Sequence, residues 1–354
     1  MTVEIRIVMG TADSADRLLV IYTGGTIGMA ARPDGALVAQ DISLLASAVR
    51  PLDDVSFGIT IAQVDPAVDS ASIRALHWIE IADAIVDLAG SHRGIVVLHG
   101  TDTMAYTASA LSFLLTGVDR PIVLTGSQRP LIERRSDADR NLVTAGAFAL
   151  LRDGSGMSAV PEVSLAFDDT LFRGNRSTKV HTSSFAGFAS PNLAPLGRAG
   201  VALSVDHTLV RAPVDGPLRR VGGLCNDVAS LRLHPALDAA TFDAVVNRAG
   251  LRGLVLEAYG AGNGPTDAWF NDGVRRARDA GVVVLVTTQC GGGAVHPGQY
   301  ATGAALFDAG AVSGADMTFE AALTKLMVVL DGRSADDAIE LLQQDLAGEL
   351  TAGA

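Results

Sequence analysis

The chain has 354 residues, 48% hydrophobic and 19% charged, enough apolar material for one large or two medium domains. Lys plus Arg number 27 against 39 Asp plus Glu, a formal charge of −12. An acidic surface of this kind, with no basic patch in the sequence, repels phosphate backbones and excludes nucleic acid as a partner.

Only two lysines occur, Lys179 and Lys325, each preceded by a threonine (Thr178, Thr324), so the Gly-Lys-Ser/Thr of a nucleotide-binding P-loop is absent. Cys225 and Cys290 are the only cysteines, too few for a disulfide framework or a four-cysteine zinc site. Residues 1–17 include Glu4, Arg6, Asp13, Asp16 and Arg17 and lack the apolar core of a signal peptide. No apolar run approaches the roughly 18 residues of a membrane span. The expectation is a soluble cytoplasmic protein that does not engage a membrane.

In chain order, residues 18–23 (LLVIYT) form a short buried strand ending in Gly24-Gly25. Residues 30–40 read as loop, with Pro33-Asp34-Gly35 as its turn. Residues 55–64 are strand-like, and Asp69-Ser70 can cap a helix running to about Ala89, with Ile79, Ala82, Val86 and Ala89 at helical spacing. Strands at 94–98 and 122–125 alternate with helices at 103–115 and 138–151, a pattern that indicates a parallel sheet covered on both faces. Residues 205–222, with Pro213, Asp215-Gly216-Pro217, Arg219 and Arg220, break the alternation and read as an interdomain linker. Beyond it come helices at 235–249 and 266–279, strands at 253–257 and 282–287, and closing helices at 318–330 and 334–346. The tail 348–354 is expected to fray. The fold class is therefore α/β: an N-terminal extension (1–17), a larger parallel-sheet domain (18–204), the linker, and a smaller C-terminal α/β domain (223–354).

In an open parallel sheet, ligands bind beyond the carboxyl ends of the strands. Three such ends carry polar residues. The first is Thr23-Gly24-Gly25-Thr26-Ile27-Gly28, whose glycines lie at offsets 0, 1 and 4 and so miss the dinucleotide fingerprint; a plain turn is the alternative. The second is His99-Gly100-Thr101-Asp102-Thr103, where Asp102 or Thr103 can equally be a helix cap. The third is Asp69-Ser70, with the same alternative. Together they would set two threonine hydroxyls, two carboxylates and several free amides on one sheet edge. A threonine hydroxyl needs a base to become a nucleophile. Thr101, Asp102 and Lys179 can form a hydroxyl–amine–carboxylate relay, Thr26 can attack a carbonyl, and backbone amides can hold the oxyanion, at about 3–4 kcal/mol per donor. Asp69 and Asp102 can grip an ammonium group, which favours a small zwitterionic substrate such as an amino acid with a side-chain amide. His99 is expected to pack or orient its loop, and Cys225 to fill core.

The motifs TGGTI (23–27) and GIVVLHGTDTM (94–104) resemble the paired signatures of the bacterial-type L-asparaginase/glutaminase family. The resemblance extends through TGSQRP (125–130), RSDADRN (135–141), RGNRSTK (173–179), FASPN (188–192), YGAGN (259–263), YATG (300–303) and GADMTFEAALTKL (314–326). It is strongest to the cytoplasmic type I enzymes. It implies hydrolysis of L-asparagine, with L-glutamine as the competing amide, without metal or organic cofactor, in a homodimer or homotetramer. By position, Thr26 matches the nucleophile, and Thr101, Asp102 and Lys179 match the second threonine, aspartate and lysine. Gly25, Asp69 and Ser70 fall at substrate-binding positions, Ser127 sits where the family's backbone faces the side-chain amide, and Asn263 matches a contribution from a neighbouring subunit. Two departures stand out. The loop Asp34-Gly35-Ala36-Leu37 has no tyrosine where relatives carry one, the nearest being Tyr22, and Glu257 stands where the second asparagine site that the resemblance implies near positions 257 and 290 would have an arginine, Cys290 being the other residue of that region. Alternatives within this resemblance are the amidase subunit of a tRNA-dependent amidotransferase and a non-catalytic asparagine sensor.

Overall fold

A computed structural model describes residues 2–9, 17–31, 37–39, 58–298 and 301–351. The chain divides into two compact units, Met1–Ser190 with Ala194–Val221, and Pro191–Leu193 with Gly222–Ala354.

Among the described residues, the first unit is built on a nine-stranded sheet. Its strands are β1 (Thr2–Met9), β2 (Arg17–Tyr22), β3 (Gly58–Asp65), β4 (Gly94–Leu98), β5 (Ile122–Thr125), β6 (Val163–Phe167), β7 (Thr170–Arg173), β8 (Gly197–Ala199) and β9 (Leu203–Val205). The spatial order is β1-β3-β2-β4-β5-β6-β7-β8-β9. The five central strands, β3 to β6, are mutually parallel, and the outer ones pair antiparallel. β2 and β4 are buried on both faces, which explains why they read as unbroken apolar runs rather than alternating ones. Among the described residues, the helices of this unit are α1 (Ala75–Ala89), α2 (Met104–Leu114) and α3 (Ala138–Leu150). α1 presents Trp78, Ile81, Ala82, Ile85 and Ala89 to the core, whereas Ile79 and Val86 are only half-buried. The inward stripe is thus rotated from the expected one.

Three expectations need revision. Residues 2–9, expected as an extension, form β1, which pairs antiparallel with β3; Val3, Ile5 and Ile7 alternate with Glu4 and Arg6, a strand signal readable in the sequence. Residues 205–221 run along the first unit rather than between units: Arg219–Arg220 pairs with Leu115–Thr116, Arg220 Nε donates to Asp83 at 2.5 Å, and Arg211 N donates to the buried Glu162 carboxylate at 3.1 Å. The tail is docked through Thr351. Glu349 and Lys325 are both 0% exposed and lie 2.6 Å apart. Lys325 Nζ also donates to the carbonyls of Leu342 (2.9 Å) and Gln344 (2.5 Å), and Glu349 accepts from the amides of Leu346 and Ala347. A buried charge pair of this kind persists because its remaining hydrogen-bonding capacity is met.

The second unit carries a parallel four-stranded sheet in sequential order, β10 (Val228–Arg232), β11 (Gly253–Ala258), β12 (Val283–Thr288) and β13 (Val312–Ser313). Its helices are α4 (Ala239–Val246), α5 (Ala268–Asp279), α6 (Ala301–Asp308), α7 (Phe319–Val329) and α8 (Ala335–Leu342). β10, β13 and α6 were not expected from the sequence; β10 is half-exposed and β13 has only two residues, so neither carries a strong apolar pattern. No described helix is long and apolar enough to cross a membrane.

Removing one partner of the Lys325–Glu349 pair leaves an uncompensated buried charge. Glu349→Ala is expected to destabilise the protein by about 3–5 kcal/mol, read as a lower urea midpoint; an unchanged midpoint would show that the tail does not stabilise this unit.

Candidate active site

The chain enters the first unit's parallel region at β2, places β3 on one side of it and β4 on the other, and so reverses direction there. That is the position where a crevice opens beyond the carboxyl ends of strands. The three ends are sewn together by backbone. Thr23 N donates to Leu98 O at 3.0 Å, and Val68 N donates to Thr23 O at 2.8 Å. Gly24 and Gly25 follow at φ +128° and +100°, and a Cβ on Gly25 would fall 2.4 Å from Gly100 N. Only glycine allows both this backbone conformation and this approach. Thr26 and Thr101 are each the next residue after this packed glycine pair.

Thr26 opens a 3-10 turn, Thr26–Gly28, and is partly exposed while Ile27 beneath it is buried. Lys179 Nζ donates to Thr101 Oγ1 at 2.8 Å and to Asp102 Oδ1 at 2.6 Å. Thr101 is buried; the Lys179 and Asp102 side chains are 18% and 61% exposed, so the amine lies between a buried hydroxyl and a solvated carboxylate. Asp102 therefore meets Lys179 rather than capping α2. Thr103 stands at the α2 N-cap without a capping bond, its hydroxyl donating instead to Ser70 O at 2.8 Å. Asp69 caps a short 3-10 turn, Ser70–Ser72, accepting from Ala71 N at 2.9 Å, and α1 begins only at Ala75. Ser70 is buried, and a Cβ on Gly100 would lie 2.4 Å from its Oγ.

Ser127 lies just past β5, buried, its hydroxyl donating to Arg129 O at 2.6 Å. Its loop is braced by two residues that sequence reading did not single out. Asp137 accepts from the amides of Gln128 and Arg129, and Asn141 Nδ2 donates to Gly126 O at 2.9 Å. Both lie in the RSDADRN block, so the signal was present without a role attached. The first unit thus carries Gly25, Thr26, Asp69, Ser70, Thr101, Asp102, Ser127 and Lys179 at or beside its strand ends. Asn263 belongs to the second unit, in the turn after β11, bridged to Tyr259. Glu257, at the end of β11, is paired with Arg232 at 3.5 Å. The loop positions 34–36 and Tyr300 lie outside the described residues.

His99 orients the Gly100 carbonyl, as expected. Its Nδ1 lies 2.7 Å from Gly100 O and its Nε2 2.9 Å from Thr107 Oγ1, and Trp78 Nε1 donates to that same hydroxyl at 3.1 Å. A carbonyl only accepts, so Nδ1 carries the proton and Nε2 accepts from Thr107. Complete burial pushes the imidazole down to about 4, against the opposing bond to Gly100.

Comparison with known proteins places this architecture. Residues 17–211 match the family model "Asparaginase, N-terminal", and residues 227–342 match "Glutaminase/Asparaginase C-terminal domain". L-asparaginase 1 of Escherichia coli K12 is 39% identical over 343 residues, covering 94% of this chain and 98% of that protein. The 60 kDa lysophospholipase of Mus musculus is 38% identical over 360 residues; 95% of this chain is covered, but it spans only 62% of the mouse protein. The crystal structure of L-asparaginase I from Vibrio cholerae matches with a TM-score of 0.84 at 34% identity, covering 95% of this chain and 99% of that one. The chain belongs to the asparaginase family.

The His99 shift has a stability consequence. Its unfolded-state imidazole binds a proton below about pH 6.5, the folded one only near 4, so its contribution is complete above 6.5 and falls as pH drops from 6.5 to 4. The bound is about 3 kcal/mol. Urea midpoints across that range should fall less steeply for His99→Gln than for the native chain; parallel slopes would mean that His99 is not held neutral.

Proposed function

We propose that this protein is an L-asparaginase that converts L-asparagine and water to L-aspartate and ammonia through a threonine nucleophile. The observation that carries the reading is Lys179, whose amine reaches both Thr101 Oγ1 (2.8 Å) and Asp102 Oδ1 (2.6 Å) on the strand end packed against the Thr26 turn. Thr26 Oγ attacks the side-chain amide carbon, and its proton passes to the relay. The tetrahedral oxyanion is met by backbone amides of the glycine turn, where preorganised donors cost no reorganisation. The carbon–nitrogen bond breaks as the nitrogen takes up the proton and leaves as ammonia. Water, deprotonated by Thr101 and Lys179, then hydrolyses the ester on Thr26 and restores the hydroxyl. Asp102 stabilises the ammonium form of Lys179.

Asp69 takes the substrate's α-ammonium group and Ser70 its α-carboxylate, with Gly25 and Thr101 lining the same edge. Ser127 and its braced loop face the amide. Lysine rather than arginine is required at position 179, because a guanidinium stays protonated and cannot act as a base. The same reading places the enzyme in the cytoplasm as a homodimer or homotetramer in which Asn263 of a neighbouring subunit completes the substrate site.

Ammonia release from asparagine by the purified protein tests this directly. Thr26→Ala should abolish turnover, and Lys179→Arg should retain fold and charge while losing about 10²–10⁴-fold in rate. Near-normal ammonia release by Lys179→Arg would remove Lys179 from the mechanism. Asparagine binding without turnover in the native chain would favour a sensor instead.

Glu257 bears on regulation. Its carboxylate is already paired with Arg232 and cannot pair with a substrate carboxylate. Rate against asparagine concentration should therefore be hyperbolic; a sigmoidal curve that becomes hyperbolic on mutating Cys290 would show that a second asparagine site operates.

A further inference from the structure

Tyr22 is the last residue of β2, four positions before Thr26. It is 1% exposed and packs in the core with Val20, Ile27, Leu98 and Leu142. The tip of its ring lies against Gly28, the last residue of the Thr26–Gly28 turn: a Cβ on Gly28 would fall 2.3 Å from Tyr22 Oη and 2.6 Å from Cζ. No side chain fits between ring and turn. The hydroxyl has no hydrogen-bond partner among the described residues, and burial pushes the phenol up to about 12. It therefore stays neutral at working pH.

Tyr22 is registered with Gln63 of β3 on one side and Leu98 of β4 on the other, so its backbone cannot shift without breaking the sheet. Among the described residues, the turn follows two positive-φ glycines, closes on the bond from Gly28 N to Gly25 O (3.2 Å), meets the neighbouring loop through Leu131 N to Ile27 O (3.4 Å), and runs on into residues Met29–Ala31, which pair antiparallel with Leu37–Ala39. A turn that must hold a nucleophile at a fixed height needs a rigid support, and an aromatic ring with two rotatable bonds supplies one. The buried, unpartnered hydroxyl is unfavourable for stability by itself, so ring length and flatness explain the residue better than a hydrogen bond.

We propose that Tyr22 is a positioning residue: its ring is a strut between β2 and the Thr26–Gly28 turn that sets the Thr26 hydroxyl at its attacking height. The inference rests on the reading of Thr26 as nucleophile. Steady-state kinetics on asparagine test it. Tyr22→Leu removes the ring tip and should lower kcat by about 10²-fold, the cost of a misplacement near 1 Å, with KM within about twofold because Asp69 and Ser70 are untouched. Tyr22→Phe keeps the ring and should recover kcat to within about twofold. Gly28→Ala pushes on the same contact from the other side and should also lower kcat; combined with Tyr22→Leu, which vacates the space its methyl needs, it should regain part of that loss. A native kcat in Tyr22→Leu overturns the proposal, as does a loss in Tyr22→Phe as large as in Tyr22→Leu. Should Tyr22→Leu not fold, an unchanged kcat in Gly28→Ala overturns it equally. If Thr26→Ala remains active, the nucleophile reading fails whatever Tyr22 does; if Thr26→Ala is inactive and Tyr22→Leu is normal, only the strut falls.

Discussion

The close approach of Gly25 to Gly100 is the constraint from which the site follows. β2 pairs in parallel with β3 and β4 at once, so the segments leaving all three strands must share one small area of sheet edge. Side chains at positions 25 and 100 would hold those segments apart. With glycines there, the residues that follow, Thr26 and Thr101, come to adjacent places on one edge. Gly24 and Gly25 both have positive φ, a backbone geometry in which successive amide N–H groups can face a common anion. The reversal of strand order thus makes the crevice, and the glycines decide how tightly its walls meet.

The two lysines show how setting divides one chemistry into two roles. Both meet a carboxylate at 2.6 Å. Lys325 and Glu349 are sealed from solvent and fully hydrogen-bonded, which makes them a tie for the end of the chain. Burial pulls the Lys325 amine down, while Glu349 and Asp345 push it up. Lys179 has a solvated carboxylate on one side and a buried hydroxyl on the other, so its amine is within reach of a proton carried by Thr101. Under the proposed reaction, a chain that otherwise uses arginine keeps lysine where an amine that can give up its proton is needed, and also where a fully buried ammonium is surrounded by carbonyls.

Behind the polar edge stands a hydrogen-bonded support. His99, Thr107 and Trp78 form a directed chain of hydrogen bonds ending on the Gly100 carbonyl, and the neutrality of His99 is what lets Thr107 donate to it. Asp137 and Asn141 do the same for the loop that carries Ser127. These residues are fixed by their neighbours, which limits how far the groups they position can drift.

Much of this was legible in the sequence. The buried strands 18–23, 94–98 and 122–125 could be read because parallel strands covered on both faces are continuously apolar; Thr26, Thr101 and Asp102 stood out because polar residues at buried strand ends are costly without a purpose, and Lys179 because it is one of only two lysines. Asp69 and Asp102 could not be told from helix caps by sequence, since capping and catalysis call for the same residue types. The structure separates them, sending Asp102 to Lys179 and Asp69 to a 3-10 turn that ends before α1. The expected linker at 205–222 and the frayed tail went astray for a related reason: Arg220 and Glu349 look like solvated charges until Asp83 and Lys325 are found facing them across distances in sequence that no local pattern spans. Sequence by itself determined the class of fold, the strand ends and the residue types gathered there, because these depend on local periodicity and side-chain chemistry. Tertiary structure alone decided which carboxylate meets which amine, the proton placement on His99 and the contact of Tyr22 with Gly28, because those depend on distances between segments that only the packed sheet sets.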